Sequence, residues 1–122
     1  IVYRREAPQR DASAAAGATV HHAESAWEDF GPGIRRRVLW RAEGEASLLY
    51  HSLPGASVPA HGHDHDEECL MVDGELFLDD VLLRRWDWQL APAGSRHGGV
   101  YTDTGVVLFA HGDLDLKLHP AA

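Results

Sequence analysis

Short apolar runs separated by turn residues dominate the chain from Ile34 onwards. Asp73-Gly74 lies between two such runs and predicts a tight hairpin, because that turn needs positive φ at its central residues. Pro54-Gly55 and Pro92-Ala93-Gly94 end other runs. The pattern predicts about eight short strands with turn residues roughly every ten positions, which is typical of an all-β sandwich or barrel. The predicted strands are 34–41, 46–53, 56–60, 67–72, 75–78, 86–91, 106–111 and 114–118.

The start of the chain differs from this pattern. Residues 11–18 are mostly Ala, Ser and Gly, which is compatible with a short helix or a loose arm. Trp27 and Phe30 are the first large apolar anchors. Because 122 residues suit one domain, we predict an N-terminal arm over 1–30 and a single β-barrel domain over 31–122.

Composition excludes several classes of partner. The net charge of -8 argues against nucleic acid, which requires a basic face. No apolar run approaches the roughly 20 residues of a membrane helix, and no apolar segment of signal-peptide length is present. The single cysteine, Cys69, allows no internal disulfide, which fits a reducing compartment. We therefore expect a cytoplasmic protein without membrane or nucleic-acid partners.

Histidines concentrate where metal chemistry is possible. The chain has nine of them, and His61 and His63 are two positions apart on a predicted extended segment, so their side chains share one face. Six extended residues span about 20 Å, so Glu67 can approach the same ion only if the chain turns after His63. His97 follows the Pro92-Ala93-Gly94 turn. Three imidazoles and one carboxylate suit a divalent metal and leave room for water or substrate.

Two other interpretations of the cluster are open. His63 and His65 could be the pair with Glu68 as the acid, although His65 is needed for the turn and Glu68 points outward if Glu67 points inward. The segment could also be a solvated loop unrelated to His97. Cys69 has the parity of Glu67 and should face the interior, where a thiol usually acts as a small hydrophobe.

These residues match the motifs of the cupin superfamily. The first motif, G-x5-H-x-H-x3-E-x6-G, is complete from Gly55 through His61, His63 and Glu67 to Gly74. In the second, G-x5-P-x-G-x2-H-x3-N, the segment Pro92 to His97 is intact, whereas Trp86 replaces the first glycine and Tyr101 the final asparagine. The chain resembles the ChrR-like cupins, the group that includes the cupin domain of zinc-dependent anti-sigma factors.

The resemblance implies a double-stranded β-helix (jelly-roll) barrel with one divalent metal at His61, His63, Glu67 and His97. Zinc is the metal that it favours, and iron, manganese or nickel are alternatives. It also implies a homodimer. The helical zinc module of such anti-sigma factors, which is rich in His and Cys, has no counterpart in this sequence, so we expect a stand-alone cupin.

Three functions remain open from the sequence. The favoured one is a metal-binding sensory or regulatory cupin, because no second catalytic group is recognisable. The alternative is a small metal-dependent enzyme, a dioxygenase or isomerase acting on a small chelating substrate. A metal-free barrel that binds a small-molecule effector is disfavoured by the complete first motif.

Overall fold

The computed structural model describes residues 17–114 and the backbone of 117–118, and this part of the chain is built almost entirely of β-strands. It contains one short 3-10 turn, His22–Glu24. The all-β class and the cupin-type architecture are confirmed. The strands are β1 (Glu28–Gly31), β2 (Ile34–Ala42), β3 (Glu45–Ser52), β4 (Ser57–Val58), β5 (His61–Gly62), β6 (Glu67–Gly74), β7 (Leu76–Leu78), β8 (Val81–Leu83), β9 (Trp88–Ala91), β10 (Arg96–His97), β11 (Val100–Tyr101), β12 (Val106–Asp113) and β13 (Lys117–Leu118).

A six-stranded antiparallel sheet in the order β1-β2-β3-β12-β6-β9 forms the larger wall of the barrel. The second wall comprises a four-stranded sheet, β4-β11-β7-β8, and a three-stranded sheet, β10-β5-β13. Buried apolar side chains of β6 and β12 pack against those of β7 and β8, which places the core between the walls. Alternate residues of β3, β6 and β12 face this core, as the period of a strand requires.

Several strands were not predicted, and the physical reason is their length. β5, β10 and β11 have two residues each, too few for an alternation to be visible, and they exist because of partners remote in sequence. β1 lies within the predicted arm and pairs with β2. The arm's first sixteen residues lie outside the described part, and the boundary at residue 30, the homodimer and the cytoplasmic location stay predictions.

No helix among the described residues has the length and apolarity needed to cross a membrane.

The tight hairpin predicted at Asp73-Gly74 is wrong, because both residues belong to β6 and pair with β12, while β7 pairs with β8 and β11 in another sheet. Gly74, the last fixed position of the first motif, ends β6 where the chain leaves the six-stranded sheet for the four-stranded one. Its φ is +80°, and a Cβ atom there would lie 2.0 Å from the carbonyl oxygen of Gly105. Both the left-handed backbone and the close approach of a second chain segment therefore require glycine.

Trp86, which replaces the first glycine of the second motif, has a strained backbone conformation. Its φ is +73°, a conformation that is strained for a bulky side chain. The turn is nevertheless kept, because the Trp86 N–H donates to the carbonyl of Met71 and the Met71 N–H donates to that of Asp87. Trp86 is 47% exposed, so little burial offsets the strain.

We expect Trp86→Gly to be more stable than Trp86→Ala by about 1 kcal/mol, because only glycine adopts this φ without strain. Both variants remove the same indole, so their difference isolates the backbone. Urea unfolding measures it. Trp88, within β9, is the matched control: there alanine should be more stable than glycine by about 0.5–1 kcal/mol. The same order at both positions would contradict the strain at Trp86.

Candidate metal centre

Three histidines from separate parts of the chain meet at one end of the barrel interior. In the antiparallel pair β5–β10, His61 lies directly opposite His97. The ring centroids are 5.0 Å apart for His61–His63 and His63–His97, and 5.2 Å apart for His61–His97. One nitrogen of each ring lies within 4.8 Å of the other two, and all three residues are buried. This separation suits a shared ion at the centre.

Backbone hydrogen bonds attach His63 to the turn that precedes His97. The His63 N–H donates to the carbonyl of Ser95, and the Gly94 N–H donates to the carbonyl of His63. The Pro-x-Gly turn of the second motif is thereby fixed against the histidine pair of the first. The two motifs are adjacent in space because of these bonds and the β5–β10 pair.

The imidazoles present buried nitrogen atoms without hydrogen-bond partners, as ligands awaiting a metal do. His61 Nδ1 donates to the carbonyl of Pro59 at 2.9 Å, which leaves Nε2 as the ligand atom. Both ring nitrogens of His63 and Nε2 of His97 are buried without a hydrogen-bond partner. Orphaned buried polar atoms are costly, and one metal ion would satisfy one ring nitrogen each of His63 and His97. The donor set therefore fits a divalent metal.

The protonation of these rings favours the same use. Burial, with repulsion from His61 and His97, lowers the pKa of His63 to about 4. Burial also lowers the pKa of His97. Both rings are thus neutral near pH 7, the form in which imidazole binds a metal.

Glu67 is the first residue of β6, after a bend at Asp64 and His65. Its Oε2 lies 3.5 Å from His63 Nδ1, and its Oε1 accepts from the Cys69 thiol at 3.4 Å. Burial raises the pKa of Glu67 to about 7. The group within 4.8 Å comprises the three histidines, so Glu67 lies beside the centre and its role as the fourth ligand stays a prediction.

Gly112 makes room for Glu67. A Cβ atom at Gly112 would lie 2.9 Å from the Cβ of Glu67, so a side chain there would displace the carboxylate. Cys69 is buried and faces the interior as its parity predicted, and burial raises the pKa of its thiol well above the usual range.

The structure does not bring together the alternative ligand set of His63, His65 and Glu68. The His65 side chain is 40% exposed and points to Asp113, with Nδ1 donating to Oδ1 at 2.6 Å. Glu68 pairs with Leu90 and has the opposite parity to Glu67 along β6. Of that set, His63 alone belongs to the three-histidine group.

Asp113 belongs to neither motif and was not predicted as a site residue, yet it holds the loop that carries the histidine pair. Its Oδ2 accepts from the backbone N–H of Asp64 at 2.9 Å, and its Oδ1 binds His65. Oδ2 also lies 3.5 Å from His63 Nδ1. The carboxylate is buried at the end of β12, so the last strand of the large sheet fixes the bend between His63 and Glu67.

Asp79 does the same for the segment that follows His97. Its Oδ1 accepts from the N–H groups of Gly98 at 2.7 Å and Gly99 at 3.1 Å. A Cβ at Gly98 would lie 2.7 Å from that oxygen, so the contact depends on glycine.

Asp66 completes the set, with Oδ1 accepting from the Ala93 N–H at 2.8 Å inside the Pro-x-Gly turn. Three aspartates, at positions that neither motif fixes, thus orient the segments that carry the ligands. Because each contact joins a side chain to a remote backbone N–H, no spacing in the sequence reveals it.

A cavity of about 80 Å³ reaches the centre from the barrel interior. His61, Glu67 and His97 contribute to its wall together with Cys69 and Tyr50. The other lining residues are Phe30, Ile34, Ser52, Val58, Leu76, Leu78, Val100, Leu108 and Ala110. A metal at the histidines would therefore be approachable by a small molecule.

Comparison with known proteins agrees with this geometry. The family model of the ChrR cupin-like domain matches residues 15–115, most of the chain. The chain belongs to the ChrR cupin-like family. This confirms the resemblance drawn from the two motifs.

Proteins similar to this ChrR cupin-like chain differ in their named functions. The pectin degradation protein KdgF of Dickeya dadantii (strain 3937) is 28% identical over 90 residues, 70% of this chain and 82% of that protein. A solved structure described as a putative acetylacetone dioxygenase from Methylibium petroleiphilum PM1 superposes with a TM-score of 0.78 at 16% identity, covering 86% of this chain and 82% of that one.

The structure of Rhodobacter sphaeroides SigE in complex with the anti-sigma ChrR matches with a TM-score of 0.65 at 22% identity. The match covers 74% of this chain and 50% of that one. At these identities the solved structures establish the fold.

We expect His97→Ala to abolish stoichiometric metal binding, because it removes one of three converging imidazoles, and His65→Ala to retain it. Elemental analysis after dialysis measures both. His51→Ala, in which the lost ring contacts Trp27 on another part of the molecule, is the control. Loss of metal in His65→Ala with retention in His61→Ala would favour the alternative register.

We expect Asp79→Asn and Asp113→Asn each to weaken metal binding by roughly 10- to 100-fold, since the ligand segments lose their orienting carboxylates. Competition with a chromogenic chelator measures the affinity. Asp87→Asn is the matched control, because Asp87 accepts from the Arg84 N–H at 2.8 Å in a turn away from the centre. Equal affinities in all three variants would show that the aspartates serve stability alone.

Proposed function

We propose that this chain is a metal-dependent cupin enzyme that acts on a small organic molecule at an ion held by His61, His63 and His97, with Glu67 as the carboxylate ligand. The observation that carries the proposal is the cavity: it ends on two of the histidines and on Glu67. A purely structural metal site is closed by protein ligands, whereas a catalytic one keeps a position open to substrate.

The residues around the centre suit this role. A divalent metal would supply Lewis-acid chemistry or a binding point for a substrate oxygen. The hydrogen bond from His61 to the Pro59 carbonyl keeps the His61 ring in one tautomer. Burial raises the pKa of Tyr50 to about 12, so the phenol stays protonated and can donate a hydrogen bond to a ligand in the cavity.

A sensory or regulatory metal site is the second candidate. The family match to the ChrR cupin-like domain favours it, and ChrR is described as an anti-sigma bound to SigE. This chain spans half of the chain matched in that complex, so a sigma-factor partner does not follow from the likeness. Both candidates need the same metal, and they differ in turnover.

Metal content and turnover test the proposal together. Protein purified without a His tag or chelator should hold about one divalent metal per chain, with zinc, iron, manganese and nickel each measured. Apo-protein reloaded with each metal is then screened for oxygen uptake and product formation with diketone, thiol and sugar substrates, with His97→Ala as the inactive control. Turnover that requires the metal supports the enzyme.

Tightly held metal without turnover in the whole screen would favour the sensory site. Protein that takes up no metal under any loading condition would contradict both candidates and revive the metal-free barrel.

A further inference from the structure

The wall of the metal cavity contains few hydrogen-bonding side chains. Apart from the centre and Cys69, ten described side chains line it, and eight of them are hydrocarbon or phenyl groups. The other two are the phenol of Tyr50 and the hydroxyl of Ser52. Among the described lining residues none is cationic, and the only carboxyl group is Glu67.

Such a wall discriminates strongly between classes of ligand. A hydroxyl or carboxylate that enters it loses its water and finds few partners, at about 1–3 kcal/mol for each unsatisfied group. A sugar acid carries several hydroxyls and a carboxylate; the metal would take one or two of these groups, and the remaining hydroxyls would find only Tyr50 and Ser52 among the described wall residues. An apolar molecule loses nothing comparable and gains burial.

Two aromatic rings give the wall a definite shape. Phe30 of β1 and Tyr50 of β3 meet edge to face, with centroids 5.2 Å apart at 67°. The Arg36 guanidinium lies 5.1 Å from the Phe30 ring centroid and hydrogen-bonds the Tyr50 phenol. Arg36 is also held by Glu28 at 2.7 Å and by the carbonyl of Leu114 at 2.7 Å, so it braces the aromatic pair and is not a free cation for an anionic ligand.

We infer that the cavity takes a small, mostly apolar molecule that presents one or two oxygen donors to the metal, such as a β-dicarbonyl compound, and that it rejects sugar acids. The inference rests on the proposed function and deepens it by naming the substrate class. The metal would bind the oxygen donors and the Tyr50 hydroxyl would donate a hydrogen bond to one of them. The carbon skeleton would pack against Phe30 and the aliphatic side chains of the wall. The chemistry of this wall therefore differs from what a polyhydroxylated ligand needs.

Binding to the cobalt-loaded protein tests the inference without any assay of activity. Co²⁺ bound at the centre reports oxygen coordination through its visible spectrum, and the probes are acetylacetone and D-galacturonate. We expect acetylacetone to shift the spectrum with an affinity at least about tenfold higher than galacturonate. Cobalt must remain with the protein after gel filtration. If acetylacetone removes the cobalt from the protein, the inferred ligand class is overturned.

Variants of the wall locate the probe. Phe30→Ala should weaken acetylacetone binding several-fold with cobalt affinity unchanged, and Phe30→Leu should restore most of it. Leu90→Ala, which truncates an exposed side chain of β9, is the control and should bind as the wild type does.

The outcomes separate the two claims. Cobalt bound, with galacturonate as tight as acetylacetone or with neither probe altering the spectrum, overturns the substrate class and leaves the metal centre intact. Cobalt not bound overturns the proposed function, and the inference with it.

Discussion

The pairing of two very short strands is the constraint on which the centre depends. β5 and β10 have two residues each, and their register sets His61 opposite His97. A shift of one residue would turn one imidazole to the other face of the strand. Two residues cannot fix such a register alone, because a pair this short contributes few hydrogen bonds. The register is fixed by the hydrogen bonds of the segments that flank the two strands.

Carboxylates provide that support. Asp113 anchors the bend after His63, Asp79 anchors the segment after His97, and Asp66 anchors the Pro-x-Gly turn. Each accepts from a backbone N–H that no strand partner satisfies, which is the role that carboxylates perform well in loops. Part of the acidity of this chain is thus structural and lies next to the centre. The large sheet supplies Asp113 and Glu67, while the hairpin loop between β7 and β8 supplies Asp79.

The departures from the second motif have a physical meaning. Trp86 occupies a glycine conformation with an exposed indole, and the hydrogen bonds of its turn hold it there. The strain is local and leaves the ligand positions untouched. The turn precedes β9, whereas the opposite end of that strand, at Ala91, pairs with Glu67. A motif position can therefore change at the cost of stability while the chemistry of the motif is retained.

The sequence by itself determined the all-β class, the turn at Pro92-Ala93-Gly94, and the histidines that meet. It did so because turn residues and strand parity act locally, and because the first motif records the bend that brings Glu67 back towards His63. Tertiary structure alone decided strands β5, β10 and β11, the aspartate contacts, the space at Gly112 and the apolar wall of the cavity. These depend on residues far apart in the chain, and pairings between remote segments leave no periodic signal in either partner.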